Sequence, residues 1–412
     1  MATDDVRRYD IEISGGRGAV VGDYATVFQV FANVAPALAT FIRAPQFRSL
    51  VDQRTKAFIG REFVFDRIEE LLAGAEFDSG YVAVRGEPGI GKTAVAATLV
   101  ARHAYVHHFN IAPENIRTAR QFLENVCAQL IVRCGLDHPT LPPRAGEDSG
   151  FLSQLLAEAA DRSDGPVVVV VDALDEVDDT GLPAGVNRLF LPRVLPPGVF
   201  FVVTTREQAD YRLDVDNEAV IWIRDGDPDN RRDVGRYIEA FLAQHTDVMA
   251  SRLAEWGVGA ETFVTDIARL SEGNFMYLVH VLPDIARGRL TRANVRTLDA
   301  LPRGLMSYYH RHWRDMKDAD PGRFAAAQRP VLCFLAISRE PVSVPQLVEW
   351  THLEPGDVLA VVREWREFLN ENAAQYRIYH RSFAEFLDEQ ENLAYYHEQI
   401  ARTALSKIPG FL

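Results

Sequence analysis

The chain is poor in cysteine. Its 412 residues include three, Cys127, Cys134 and Cys333, with no C-x-x-C pair. That pattern excludes a disulfide framework and a zinc site and predicts reduced, buried thiols in a cytoplasmic protein. No apolar run approaches the ~20 residues that a membrane-spanning helix needs, so no membrane partner is expected. The first residues, with Asp4, Asp5, Arg7 and Arg8, lack the order of a secretory leader. Positive charge is in deficit: 44 Lys and Arg against 58 Asp and Glu give a net charge of −14, which argues against a nucleic-acid platform. No internal repeat is present. What remains is ordinary globular material, 47% hydrophobic and 25% charged. Its length predicts two to four domains of roughly 100–200 residues each.

Against that plain background stands Gly86-Glu87-Pro88-Gly89-Ile90-Gly91-Lys92-Thr93, a complete G-x-x-x-x-G-K-[ST] phosphate loop. The preceding Tyr81–Arg85 reads as a buried strand and the following Ala94–Ala104 as a helix. In that setting the glycines let backbone N–H groups turn around a β-phosphate. Lys92 supplies a point charge, and the Thr93 hydroxyl can hold Mg²⁺ at a helix N-terminus. About eighty residues on, the β-branched run Val167–Val171 ends in Asp172-Ala173-Leu174-Asp175-Glu176. Asp172 is expected to reach the Mg²⁺ beside Thr93 through water. Asp175 and Glu176 follow within range of a water attacking a γ-phosphate, with Glu176 the first choice to polarise it. A third strand, Phe200–Thr205, ends in Arg206, a γ-phosphate sensor in this reading; the alternative is a local ion pair with Glu207 or Asp210. Further strands are expected at 106–111 and 219–223, with helices near 116–134, 150–162, 187–195 and 229–245. Such alternation implies an α/β fold, a parallel sheet with helices on both faces.

Upstream, Phe58-Ile59-Gly60-Arg61-Glu62 opens an amphipathic helix with Phe63, Phe65, Ile68, Leu71 and Leu72 at helical spacing. F-x-G-R-E, then G-x-P-G-x-G-K-T, then hhhhD-A-L-D-E, then T-T-R-E is similar to the motif order of the STAND class of P-loop signal-transduction NTPases. That class includes the NACHT and NB-ARC proteins of immunity and programmed cell death. The resemblance covers roughly residues 58–400. It implies that Phe58, Ile59, Gly60 and Arg61 lie on the base-binding side of an ATP/ADP site. It also implies a glycine-led element, often G-x-P, closing over the nucleotide; here Gly273-Asn274-Phe275 lacks the proline. A capped core helix with Met276, Leu278 and Leu282 buried is the plainer reading of that segment.

The expected domains are an N-terminal segment and linker at 1–57, a P-loop domain at 58–228, a helical domain at 229–300 and a winged-helix domain at 301–412. In the last, helices are expected at 330–337, 344–351 and 354–369, with Val358, Val361, Val362, Trp365 and Phe368 on the apolar side of the third, and a wing strand at 376–380. That third helix sets Arg363 and Arg366 against Glu354, Asp357, Glu364 and Glu367, so DNA reading is not expected of it. Tyr379-His380-Arg381-Ser382-Phe383-Ala384-Glu385-Phe386-Leu387 resembles the H-x-S-F-x-[DE]-F-L element of STAND proteins. By that resemblance His380 reaches the β-phosphate of ADP and latches the domains shut; taken alone, it is a structural histidine between a strand and a helix.

Residues 11–33 alternate small β-formers with glycine, and Ala25–Phe31 carries no charge. This is the composition of a segment able to stack as a cross-β zipper. It resembles the amyloid-signalling motifs of some bacterial NTPases of this class, which template an effector; an ordinary hairpin or arm is the alternative. No nuclease, protease or TIR-like domain is recognisable in the first 57 residues. STAND proteins continue into sensor repeats, so the end at Leu412 leaves open a shortened chain or a separate sensor. The expected function is a slow ATPase acting as a switch: closed with ADP, self-assembling with ATP, and responsive to an unknown trigger. An ATP-driven remodeller of the AAA+ type and a STAND-type transcription regulator are the alternatives.

Overall fold

The computed structural model describes residues 36–406 apart from 57, 75–76, 208–211, 292–294, 339 and 373. The proposed signalling segment at 11–33 therefore lies outside the described residues. Five parallel strands form the central sheet: β1 (Gly80–Gly86), β2 (Val106–Phe109), β3 (Val167–Asp172), β4 (Val199–Arg206) and β5 (Glu218–Ile223). Their order across the sheet is β2-β3-β4-β1-β5, so β4 separates the phosphate-loop strand from the Asp172 strand. Every residue of β3 is buried, as an unbroken β-branched run covered on both faces requires. Register then sets the site. Gly86 lies opposite Arg206 on one side and Ile223 on the other, while Val171 pairs with Val203 and leaves Asp172 beside Thr204. This is the sheet of the P-loop NTPase fold.

Helices cover both faces. The expected helix after the phosphate loop is Lys92–His103, and those at 119–134 and 150–162 form as predicted. Glu62–Leu72 buries Val64, Phe65, Ile68 and Leu71, so Val64 takes the place that periodicity gave to Phe63. Three expectations are corrected. Residues 187–195 make a single 3-10 turn, because Leu189 and Phe190 have positive φ and the Asn187 amide bonds the carbonyls of Leu191 and Asp214, holding a loop. Ala44–Thr55, assigned to the terminal segment and linker, is an integral helix of the P-loop core. Its Phe47 is fully buried and packs against His107, His108 and Phe109 of β2. The third C-terminal helix ends at Glu364, and Leu369–Asn372 is a strand paired antiparallel to Gln375–Ile378.

After β5 the chain is mainly helical. Pro228–Gln244, Thr246–Trp256, Ala260–Leu270 and Phe275–Ala286 lead into Gly304–Ala319. Helices Arg329–Ile337, Val344–Thr351 and Pro355–Glu364 follow, with a three-stranded sheet in which Gln375–Ile378 is the central strand. Val358, Val361, Val362, Trp365 and Phe368 are all buried, as their spacing predicts. The two expected domains at 229–300 and 301–412 share one continuous apolar core running from Val234 to Tyr396. The chain closes with helices Arg381–Gln390 and Leu393–Ser406.

Candidate functional site

The phosphate loop is shaped by backbone conformation. Gly89 and Gly91 have φ of 81° and 104°, values that L side chains rarely adopt. A Cβ on Gly89 would also lie 2.7 Å from Asn274 Oδ1 and 2.9 Å from Met276 Cβ. The helix that begins at Lys92 therefore opens onto the loop, with Gly91 as its N-cap and the Ala94 and Val95 N–H groups on the Gly91 carbonyl. Such a terminus attracts an anion.

Around it lies a cavity of about 350 Å³, at the lower end of the size range of small-molecule sites. Its apolar lining comes from Phe58, Ile59, Tyr237, Phe275, Met276 and Val279. Its polar and ionic lining includes Lys92, Thr93, Asp175, Glu176, Arg206 and His380. Pro88, Gly89, Ile90, Gly91 and Arg61 complete the loop side. Gly60, Gly86, Glu87 and Asp172 stand outside the lining and act from behind it. Gly60, at φ 81°, leaves no room for a Cβ beside the Asp233 carboxylate, and one on Gly86 would meet the Ile223 carbonyl. Glu87 hydrogen-bonds Glu207, and burial together with that neighbour raises its carboxyl above the usual range.

The Lys92 ammonium donates to the carbonyls of Gly86 (2.7 Å) and Glu87 (2.9 Å). Burial lowers its pKa to about 8, against the pull of Asp175 and Asp172. Asp172 is buried and accepts a 2.5 Å bond from the Thr204 hydroxyl. Burial raises its pKa, while hydrogen bonds from Thr204 and Thr93 oppose the rise. Asp172 and Thr93 thus place a carboxylate beside a hydroxyl, the hard oxygen donors that suit Mg²⁺. Glu176 accepts from the Ala112 N–H at 3.1 Å, and burial lifts its pKa to about 7. A carboxylate poised near neutrality can take a proton from water.

Arg206 is held by two carboxylates distant from it in sequence. Its Nε lies 2.9 Å from Asp175, and its Nη1 donates to both carboxylate oxygens of Glu385, at 2.7 and 2.9 Å. Asp175 in turn faces Arg381. Arg61 is also committed. Its guanidinium is 2% exposed and bonds Asn230 Oδ1 (2.7 Å), the Ile90 carbonyl (2.6 Å) and Asp233 Oδ2 (3.5 Å), with its face 4.6 Å from the Phe275 ring. It braces the phosphate loop against the helical region, a sharper role than lining the base side. The Gly273-Asn274-Phe275 segment heads a capped core helix, as its plainer reading predicts, and also touches the phosphate loop. Asn274 caps its helix by accepting from the N–H groups of Met276 and Tyr277. It also donates to the Pro88 carbonyl at 2.9 Å, and Met276 N–H bonds the Gly89 carbonyl.

His380 reaches the cavity from the far domain. Its Nδ1 accepts the backbone N–H of Ser382 at 3.2 Å and lies 2.7 Å from the Ser382 hydroxyl. A nitrogen that accepts an amide N–H carries no proton, so the proton of the neutral ring sits on Nε2. Burial, with Arg54, Arg206 and Lys92 nearby, lowers its pKa to about 3 and keeps it neutral. Arg54 donates to the Tyr379 hydroxyl at 2.6 Å, and Arg377 pairs with Glu114. Sequence reading missed Gln53, Arg54, Tyr237 and Val279 as cavity residues. Gln53, Arg54 and Tyr237 sit on helices that carry no motif, and Val279 lies one turn beyond the Gly273-Asn274-Phe275 element of its helix.

Residues 57–201 match the AAA ATPase domain family. That match supports nucleotide binding and ATP hydrolysis as the general activity of this part of the chain. No curated protein matches the sequence. Among solved structures, a STAND ATPase with a tetratricopeptide repeat sensor from Pyrococcus horikoshii is 15% identical, with a TM-score of 0.42; the match covers 86% of this chain and 46% of that one. The Walker-type ATPase of Pyrococcus abyssi is 12% identical with a TM-score of 0.39, over 80% of this chain and 96% of that one. A chain of the Drosophila ORC bound to DNA is 12% identical with a TM-score of 0.35, over 84% and 98%.

Proposed function

We propose that the protein is an ATP/ADP-dependent switch, held closed by ADP and freed by exchange to ATP to assemble with further copies of itself. The supporting observation is that the cavity walls come from three regions at once. The phosphate loop and acidic strand end supply one, the Phe275 helix a second, and the Tyr379-His380 turn a third. A ligand filling that cavity holds the three together, and changing the ligand changes what they hold.

In this reading Lys92 and the first-turn N–H groups hold the β-phosphate, and the Nε2–H of His380 donates to it. Phe58, Ile59 and Phe275 enclose the base. Thr93, with Asp172 through water, would hold Mg²⁺, whose charge offsets that of the phosphates. Glu176 orients and deprotonates water for a slow resetting hydrolysis, and Arg206 becomes the γ-phosphate contact when released from Glu385. Assembly through the N-terminal segment would raise the local concentration of weak contacts and engage an effector, in immunity or programmed cell death.

The test is to denature the purified protein and identify the released nucleotide by chromatography. Near-stoichiometric ADP is expected. An empty site that takes up ATP freely and turns it over fast without an activator would favour instead an ATP-driven remodeller, the reading that the AAA domain match also accommodates.

A further inference from the structure

Four charged side chains close a ring beside the cavity. Arg206 contacts Asp175 and Glu385, and Arg381 contacts the same two carboxylates, at 3.7 Å and 3.1 Å. Two of the four, Arg206 and Asp175, belong to the P-loop core and line the cavity. The other two are one helical turn apart on Arg381–Gln390, the helix that His380 caps. The ring is neutral as a unit, two cations against two carboxylates. Its Asp175 side chain is 8% exposed and its Arg206 side chain 21%, so screening by water is weak on the core side. The Arg206–Glu385 contact runs from one nitrogen, Nη1, to both carboxylate oxygens, while Nε is held by Asp175.

We infer that Glu385 is a specificity-determining residue that makes the closed site select nucleoside diphosphates over triphosphates. The inference rests on the reading of this cavity as a nucleotide site. In the closed form the Glu385 carboxylate takes the hydrogen-bond donors of Arg206 that a γ-phosphate would need. A triphosphate therefore enters against two carboxylates, Asp175 and Glu385, with Arg206 already committed to both. A diphosphate ends short of the ring and leaves it intact. To bind ATP well, the site must give up the Glu385 contact, and that contact is one of the ties holding the His380 helix to the core. Phosphate number is thereby converted into domain separation. Arg381 balances the charge: it keeps Asp175 compensated while Arg206 is shared.

The experiment is calorimetric titration of the nucleotide-free full chain with ADP and with a non-hydrolysable ATP analogue, both with Mg²⁺. Wild type, Glu385→Gln, Arg206→Gln and the double variant are compared, with Lys92→Ala as the site control. Glu385 is 39% exposed, and glutamine preserves its shape. The expected result is a rise of roughly fivefold or more in the analogue-to-ADP affinity ratio for Glu385→Gln. In the Arg206→Gln background that rise disappears, which a general loosening of the domains would not produce. An unchanged ratio in Glu385→Gln, with wild type binding both ligands in a Lys92-dependent way, overturns the inference and leaves the site reading standing. Binding that survives Lys92→Ala sinks the site reading, and this inference with it.

Discussion

The Asn274 side chain spans two structural units: its oxygen caps the Phe275–Ala286 helix, and its amide nitrogen donates to the Pro88 carbonyl 2.9 Å away. The phosphate loop is thus buttressed by a helix almost two hundred residues downstream, so its shape depends on how the helical region is docked. Asn274→Ala should cost about 1 kcal/mol from the lost cap. It should also weaken nucleotide binding beyond what that cost explains. Thermal melting with and without ADP separates the two effects; an unaltered ADP-induced shift would remove the buttress from the binding account.

Arg61 and Asp233 form a pair in which both side chains are under 5% exposed. Arg61→Ala leaves the buried Asp233 carboxylate with only the half-exposed Arg236 at 4.0 Å, and breaking such a buried pair costs up to roughly 3–5 kcal/mol. Chemical denaturation should show a loss of that order. Arg61→Lys should recover little of it, because one ammonium cannot reach Asn230, Asp233 and the Ile90 carbonyl together.

With burial holding Lys92 near pKa 8, its charge is complete below that pH and fades above it. Phosphate favours the charged form, so the bound pKa lies higher and binding takes up a proton as pH rises past about 8. The Lys92 contribution to nucleotide affinity should be flat from pH 6 to 7.5 and fall from about 8 upward. Calorimetry in buffers of different ionisation enthalpy reads that proton uptake directly. Lys92→Ala should abolish binding at every pH.

Glu176 must be ionised to act as a base, and its pKa of about 7 sets the rising limb of hydrolysis. Turnover should climb through pH 7 in the wild type and be low and flat in Glu176→Gln. If Glu176→Gln keeps the same limb, another group is the base.

His380 titrates only near pH 3, so its contribution should not depend on pH between 5 and 8. His380→Ala should lower ADP affinity equally at pH 5.5 and 7.5. A loss confined to the acidic side would mean that the ring binds as a cation, contrary to the Ser382 N–H bond at Nδ1.

The sequence by itself determined the elements whose information is local. A phosphate loop is legible because glycines at φ of 81° and 104° and a lysine at a helix start leave a fixed spacing. A buried parallel strand is legible because both of its faces must be apolar, as at 167–171. The apolar face of the helix at 355–364 followed from its period for the same reason. Only the tertiary structure decided how these parts meet. Nothing near Arg206 in sequence points to Glu385, 179 residues on, and local rules favour the nearer Glu207. Register, which depends on which strands pair, put Thr204 between Asp172 and the phosphate loop. The tie of Arg61 to Asp233 depends on the docking of a helix that no local pattern specifies. Residues 187–195 failed as a helix because side-chain bonds to distant carbonyls outweighed a weak local preference. Short-range periodicity records what each segment buries; long-range charge pairing is settled only when the packed elements bring the partners together.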